Sequence, residues 1–451
     1  MTNDTIAAIA TAPGQGGVGI VRLSGDDAEQ ILSRLFRPAK KDLTFLTSHM
    51  LTYGHVVEDG EVIDECMAVI MRAPQSYTRE DVVEFQLHGG SFAPQKVLDA
   101  CLRAGARLAE PGEFTRRAFL NGRIDLAEAE AVMSLIAARG EQAHRAAMRQ
   151  LQGGASSFIR QAADELYNVA AGIAACVDYP DEISEEEATE GLSDKLLALA
   201  NRLDSACSER ASHLLSSGLQ VVLCGRPNVG KSSLLNALLG EDRAIVTAIP
   251  GTTRDVVTGD LLLGGCEIHL TDTAGLRDTD DPVEKIGVAR SGKAMADADV
   301  VLVVLDGSAP LADEDKTLLK SQCDQRTIVV VNKTDLPSMW DMTPLTALYP
   351  EVKIIRLSAA QPDSLAPLKD ELRRRATVSD QLVLTQPRHL NAARRAAQHL
   401  RDAAATVNAG LPVDLTTVDI TAAQYALGEI TGDQVDEKLL DAVFEQFCVG
   451  K

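Results

Sequence analysis

Between the apolar run Leu219–Cys224 and the helical run Ser233–Leu239 lies Gly225-Arg-Pro-Asn-Val-Gly-Lys-Ser232. Residues of these types at this spacing suit phosphate binding. The glycines let backbone N–H groups close around an anion, and a helix N-terminus adds positive potential. Lys231 can reach β- and γ-phosphates, and Ser232 can hold Mg²⁺. Taken alone the pattern also fits a plain strand-to-helix turn. Three further motifs follow in the order a G domain requires. Thr252-Thr253 leads toward an edge strand and lets Thr253 complete Mg²⁺ coordination. Asp272-Thr-Ala-Gly275 ends an apolar strand, where the carboxylate can reach the metal through water and the Gly275 N–H can meet a γ-phosphate. Asn332-Lys-Thr-Asp335 ends another strand, and Asp335 can accept hydrogen bonds from guanine N1 and N2, a donor pair that adenine lacks. Ser358-Ala359 would close over the guanine O6. The motif set therefore predicts GTP as ligand, not ATP.

The predicted nucleotide contacts are Asn228, Val229, Gly230, Lys231, Ser232 and Ser233 of the loop; Thr247, Ala248, Ile249, Pro250, Gly251, Thr252 and Thr253 of the following segment; Asp272, Thr273, Ala274 and Gly275; Asn332, Lys333 and Asp335; and Ser358, Ala359 and Ala360. Position 276 is Leu, where many regulatory G proteins place a water-orienting Gln. Another group must then position the attacking water, and either an arginine supplied in trans or a bound monovalent cation can supply the missing charge. Asn228, with Thr247–Thr252 near it, has the oxygen donors for K⁺, although an asparagine here also serves simply to shape the loop. Glu284, past the second switch, is by default a surface helix residue.

The elements around these motifs fall into three regions. From Thr5 to about Ala118, short apolar runs (Ile6–Ala10, Ile20–Leu23, Val62–Met71, Val82–Gln86) alternate with turn residues and two helical stretches, the pattern of a small α+β domain. Leu126–Leu215 is rich in Ala, Leu and Glu at helical spacing, broken at Gly153-Gly154 and Pro180. From Leu219 β-rich runs, including Val300–Leu305, Ile328–Val331 and Val352–Leu357, alternate with helical segments, as in a doubly wound α/β domain. Helical periodicity returns after about Ala376 and continues to Phe447. The simplest organisation is a discontinuous α-helical domain interrupted by an inserted α/β P-loop G domain, with predicted boundaries 1–120, 121–215, 216–377 and 378–451. The acidic stretch Asp181–Glu190 reads as a solvated loop or helix start.

Composition bounds the rest. The chain has 451 residues, 45% hydrophobic and 24% charged, as expected of globular domains, and only 4% aromatic. Its runs of apolar residues fall short of the roughly 18 needed to span a bilayer, and a signal-peptide pattern is missing, so a cytoplasmic location with no membrane association is expected. The 8 cysteines are scattered without metal-ligand spacing and read mostly as buried thiols. A formal charge of −21 repels phosphate backbones, so service to a nucleic acid calls for a partner or a local basic patch. Gly14-Gln-Gly-Gly-Val-Gly19 fits a dinucleotide-binding pattern but precedes the strand-like Ile20–Leu23, so a glycine-rich turn is the simpler reading.

Gly225–Ser232, Pro250-Gly-Thr-Thr-Arg-Asp255, Asp272-Thr-Ala-Gly-Leu-Arg277 and the terminal Phe447-Cys-Val-Gly-Lys451 resemble the MnmE (TrmE) family of tRNA-modification GTPases. Pro13-Gly-Gln-Gly-Gly-Val-Gly-Ile20, Pro111-Gly-Glu-Phe-Thr115, Ala118-Phe-Leu-Asn121 and Asp178-Tyr-Pro-Asp-Glu182 extend the match over nearly the whole chain. G motifs are shared with other translational GTPases, so the flanking segments carry the specificity. The resemblance implies an N-terminal domain that binds a tetrahydrofolate derivative (5-formyl or 5,10-methylene type) and dimerises, and a K⁺-activated GTPase whose G domains dimerise. It also implies a heterotetramer with the flavoprotein MnmG (GidA), which holds FAD, and a tRNA substrate modified at C5 of the wobble uridine. By position, K⁺ falls on Asn228, Thr247, the Ile249 carbonyl and Thr252, and Mg²⁺ on Ser232 and Thr253. Glu284 matches the family's water-orienting acid. Folate contacts fall on Arg22, Glu84, Arg123 and Lys451, with Arg123 departing from the Lys of relatives. Cys448 sits in the Cys-x-Gly-Lys tail, as a reactive thiol or as a positioning residue. The G motifs alone also suit a ribosome-assembly GTPase, but that reading calls for a basic RNA-binding domain. A membrane-associated regulatory GTPase would need lipidation signals or a basic amphipathic helix.

Overall fold

The computed structural model describes residues 4–40, 46–241, 257–272, 295–340, 343–379 and 384–450. Two compact units are present, one formed by Met1–Met133, Arg149–Asp204 and Asn391–Lys451, the other by Ser134–Met148 and Ser205–Leu390.

The first unit opens with β1 (Ile6–Ile9), β2 (Val18–Ser24), α1 (Ala28–Leu35), β3 (Phe36–Pro38), β4 (Thr52–Glu58), β5 (Glu61–Met71), β6 (Val82–His88), α2 (Phe92–Arg103), β7 (Arg107–Leu108) and α3 (Glu113–Leu120). The strands form a seven-stranded sheet in the order β3-β4-β5-β6-β2-β1-β7. Alternation decides which face each residue covers: Ala7 joins the core beneath α1 and α2, while its neighbours Ile6 and Ala8 pack with Ala109 and Phe114 on the opposite face. The glycine-rich Gly14–Gly19 runs directly into β2, a strand and not a helix, which removes the dinucleotide reading. Close approach requires glycine at Gly19, where a Cβ would strike Pro94, and at Gly89, where it would strike the backbone of Gly16.

The helical part comprises α4 (Leu126–Ala137), α5 (Glu141–Leu151), α6 (Gly154–Asp178), α7 (Glu185–Thr189) and α8 (Leu192–Ser205), with α9 (Glu209–Ser217) leading out of it. The expected breaks occur at Gly153, which is left-handed at φ +83°, and just before Pro180. The acidic stretch holds α7, whose start is capped by Ser184 and Glu187, and it is solvated.

The second unit carries β8 (Leu219–Cys224), α10 (Lys231–Glu241), β9 (Val257–Leu263), β10 (Cys266–Asp272), β11 (Val300–Asp306), α11 (Asp313–Gln322), β12 (Thr327–Asn332), α12 (Thr343–Leu348), β13 (Lys353–Arg356) and α13 (Ala366–Ala376). Its six strands run β13-β12-β11-β8-β10-β9, parallel except for the β9–β10 hairpin. Continuous apolar strands are explained by burial on both faces. Val300, Leu302 and Val304 of β11 enter one core, and Val301, Val303 and Leu305 enter the other. The chain then returns to the first unit through α14 (Pro387–Asn408), α15 (Thr416–Thr431) and α16 (Glu437–Phe444). Helix α15 packs on α6, so segments from before and after the insertion build one helical body.

One segment is placed where periodicity alone would not put it. Ser134–Met148 belongs with the α/β unit. Gln142 at the start of α5 donates its backbone N–H to Gly265 O and its side-chain amide to Gly264 O, and its amide oxygen accepts from Val378 N, each at 3.0 Å. A single side chain thus closes the turn of the β9–β10 hairpin onto the chain leaving the α/β unit.

Candidate nucleotide site and arginine cluster

The phosphate loop leaves β8, a central strand of the α/β sheet, and its conformation depends on glycine at two places. Gly225 (φ +148°) lies against the backbone of Val304, and Gly230 (φ +97°) against the side chain of Asn332, so neither tolerates a Cβ. Asn228 is left-handed at φ +65°, a conformation that asparagine accepts more readily than most residues. The shaping role and the exposure of an amide at the loop's crest therefore coexist in one residue. Lys231 is 5% exposed, and its ammonium donates to the carbonyls of Gly225 at 2.7 Å and Arg226 at 2.8 Å. The Ser232 hydroxyl donates to Asp272 at 2.9 Å, bringing together an alcohol and a carboxylate from two different motifs.

The base-recognition end is equally tied to the loop. The Asn332 side chain donates to the Val229 carbonyl at 2.8 Å and accepts from the Ala359 N–H at 2.9 Å, so one amide joins three of the predicted motifs. Ser358 donates to Asp335 at 2.5 Å, while Asp335 itself is exposed. Lys333, at φ +62°, reaches Asp306 at 2.6 Å. Burial pushes the Asp306 carboxyl upward, but the Lys333 ammonium and the hydroxyl and N–H of Ser308 outweigh it and hold the group below the ordinary carboxylate range. Asp306 was not singled out by the motifs, although its place at the end of an apolar strand was a signal. Thr247, Ala248, Ile249, Pro250, Gly251, Thr252, Thr253, Thr273, Ala274, Gly275 and Glu284 lie outside the described residues, as does Leu276.

A second cluster forms on the N-terminal sheet. Arg22 on β2 and Glu84 on β6 face each other in register and pair at 2.8 Å. The Arg22 guanidinium lies 5.9 Å from the Tyr77 ring and 5.7 Å from the Phe114 ring, and Arg123 lies 4.6 Å over Tyr77. Arg22 also donates to the Gly450 carbonyl at 3.4 Å. The chain's last residues are held there: Val449 bridges to Pro111, the Gly112 N–H donates to the Cys448 carbonyl at 3.4 Å, and Gly450 (φ +92°) abuts the backbone of Ile9. Arg22, Glu84 and Arg123 thus come together around Tyr77, which sequence reasoning missed because its partners are remote along the chain. Lys451 lies outside the described residues, and Cys448, two positions before Gly450, is exposed.

Comparison with known proteins identifies the family. Residues 5–123 match the family model of the GTP-binding protein TrmE N-terminus, and residues 126–448 match that of the MnmE helical domain. The tRNA modification GTPase MnmE of Symbiobacterium thermophilum is 48% identical over 100% of both chains, and that of Moorella thermoacetica 46% over 100% of both. That of Lactiplantibacillus plantarum is 43% identical over 99% of this chain and 98% of its own. Among solved structures, the G domain of the T. maritima FeoB iron transporter aligns with 35% of this chain and 99% of that one, at 29% identity and a TM-score of 0.28. With full-length relatives at these identities and a family model spanning well over half of its residues, the chain belongs to the MnmE family of tRNA modification GTPases.

Proposed function

We propose that this GTP hydrolase is K⁺-activated and, together with the flavoprotein MnmG (GidA), installs an aminomethyl or carboxymethylaminomethyl group at C5 of the wobble uridine of certain tRNAs. A tetrahydrofolate derivative would be the source of the one-carbon unit. The observation that supports this reading is the pairing, in one chain, of the described part of a guanine-nucleotide site with an arginine, carboxylate and aromatic cluster beside the C-terminal tail.

The residues fit the groups that this chemistry needs. Ser232 and Asp272 form an all-oxygen set suited to Mg²⁺, with Thr253 as the further ligand. Bound there, Mg²⁺ would neutralise charge on the β- and γ-phosphates. The Asn228 amide, with Thr247, the Ile249 carbonyl and Thr252, would hold K⁺, which supplies positive charge where other GTPases insert an arginine. Glu284 would orient the attacking water indirectly, the task left open by Leu276. At the second cluster, Tyr77 and Phe114 offer aromatic faces, Glu84 an acceptor, and Arg22, Arg123 and Lys451 cations, a donor set suited to the ring and carboxylates of a folate. FAD would belong to the partner.

Met50, Leu51, Tyr53 and Val62 stand exposed on and beside β4 and β5, which supports pairing of two copies through the N-terminal domain, in a heterotetramer with MnmG. A formal charge of −21 suits a division of labour in which MnmG supplies most of the tRNA-binding surface. No helix among the described residues is long and apolar enough to cross a membrane, consistent with work in the cytoplasm. The cation mechanism is tested by GTPase rates in matched KCl and NaCl. The expected result is a rate at least about 10-fold higher in K⁺, worth about 1.4 kcal/mol of barrier. Equal rates would remove K⁺ from the account.

A further inference from the structure

The phosphate loop is tethered at its first variable position by a residue outside the G motifs. Asp315 lies in the first turn of α11 and is 1% exposed. One of its oxygens accepts from the Ala312 N–H at 3.0 Å, capping the helix, and the other accepts from Arg226 Nε at 2.8 Å. Arg226 is the residue directly after Gly225, 89 positions away in sequence, and its hydrogen bond to Asp315 keeps the guanidinium firmly charged. The same residue's backbone carbonyl accepts from the Lys231 ammonium at 2.8 Å. Side chain and main chain of Arg226 thus connect a buried carboxylate on α11 to the lysine that reaches for phosphate.

We propose that Asp315 is a positioning residue for the GTPase reaction: acting through Arg226, it pre-organises the phosphate loop and sets the resting place of Lys231. The inference rests on the GTPase reading and adds a determinant of nucleotide affinity to it. The physical reason is ordering cost. A loop whose N–H groups must converge on a phosphate binds more tightly when its conformation is fixed beforehand. Asn332 pins the loop at Val229, beyond its midpoint. Asp315 pins the beginning. A buried carboxylate with one cap and one cationic partner also resists drift, because losing the cation leaves a buried charge uncompensated.

The test uses the full-length protein, with KM and kcat for GTP and the Kd of mant-GDP measured for Asp315→Asn, Arg226→Gln, the double variant and Arg226→Lys. Asp315→Asn keeps an oxygen for the Ala312 N–H while losing the charge. Each disruptive single variant is expected to raise KM and the mant-GDP Kd about 5- to 20-fold and leave kcat within about twofold. The double variant should be no worse than the poorer single, as coupled partners require. Arg226→Lys, which keeps the cation, should recover most of the affinity. A purely architectural role for Asp315 would lower Tm in Asp315→Asn without moving KM in Arg226→Gln. KM for Arg226→Gln within twofold of wild type, or effects that multiply in the double variant, overturns the proposal. Failure of the wild-type protein to bind mant-GDP would overturn the GTPase reading, and this inference with it.

Discussion

At the scale of single residues, the reactive thiol question has a physical answer. Burial pushes Cys66, Cys101 and Cys224 up to about 12, so these thiols stay protonated and shielded at any physiological pH. Cys176 and Cys266 are also buried, Cys207 and Cys323 are half-buried, and Cys448 is exposed. A disulfide reagent at pH 8 should therefore titrate one cysteine rapidly in the native protein, and Cys448→Ser should abolish that fast phase. A fast phase that survives the substitution would contradict this ordering. Sequence alone could say that most cysteines were structural and that Cys448 was the one to watch. It could not rank them, because accessibility is set by tertiary neighbours.

At the scale of elements, the β9–β10 hairpin is held at its turn by Gln142. Replacing it with Ala removes the partners of Val378 N and the Gly264 carbonyl, and should speed amide exchange at Val378 by an amount corresponding to about 1 kcal/mol of local stability. Unchanged exchange would show that the contact is idle. Helix α13 carries a pH-dependent feature. Hydrogen bonding from Arg374 at 2.7 Å and from Arg375 at 2.9 Å holds the Glu371 carboxyl down to about 2 against the upward push of burial. A depressed carboxylate contributes its stability above its ordinary pKa and loses it as pH falls toward the folded value. The Tm difference between wild type and Glu371→Gln should thus be constant from pH 8 to 5 and shrink between about 4.5 and 2. A difference that persists undiminished toward pH 2 would argue against the assignment.

These elements also show which parts of the fold the sequence reveals. β11 and β12 are plain in the sequence because strands buried on both faces are apolar without interruption. The phosphate loop is plain because its glycines and Lys231 act on one another locally. The Asp315–Arg226 tether and the meeting of Arg22, Arg123 and Tyr77 leave no local trace, since residues far apart in the chain make them. The same holds for α5, whose helical spacing resembles that of its neighbours while its first residues serve the α/β unit.

At the scale of the whole molecule, one helical body is assembled from both sides of an inserted G domain, and the chain passes four times between the unit that carries the nucleotide site and the unit that carries the Arg22 cluster. The strongly acidic charge fits the proposed division of labour, in which a partner carries most of the tRNA-binding surface. Asp335 is the residue through which this whole account can be interrogated, because guanine selection is its proposed role and it takes no part in folding the N-terminal cluster. The most direct measurement is mass spectrometry of wobble nucleosides in tRNA from a deletion strain complemented with wild type or with Asp335→Asn. The account predicts that C5-modified uridine disappears on deletion, returns with wild type, and stays largely absent with Asp335→Asn. Normal levels of the modified nucleoside in the deletion strain would contradict it.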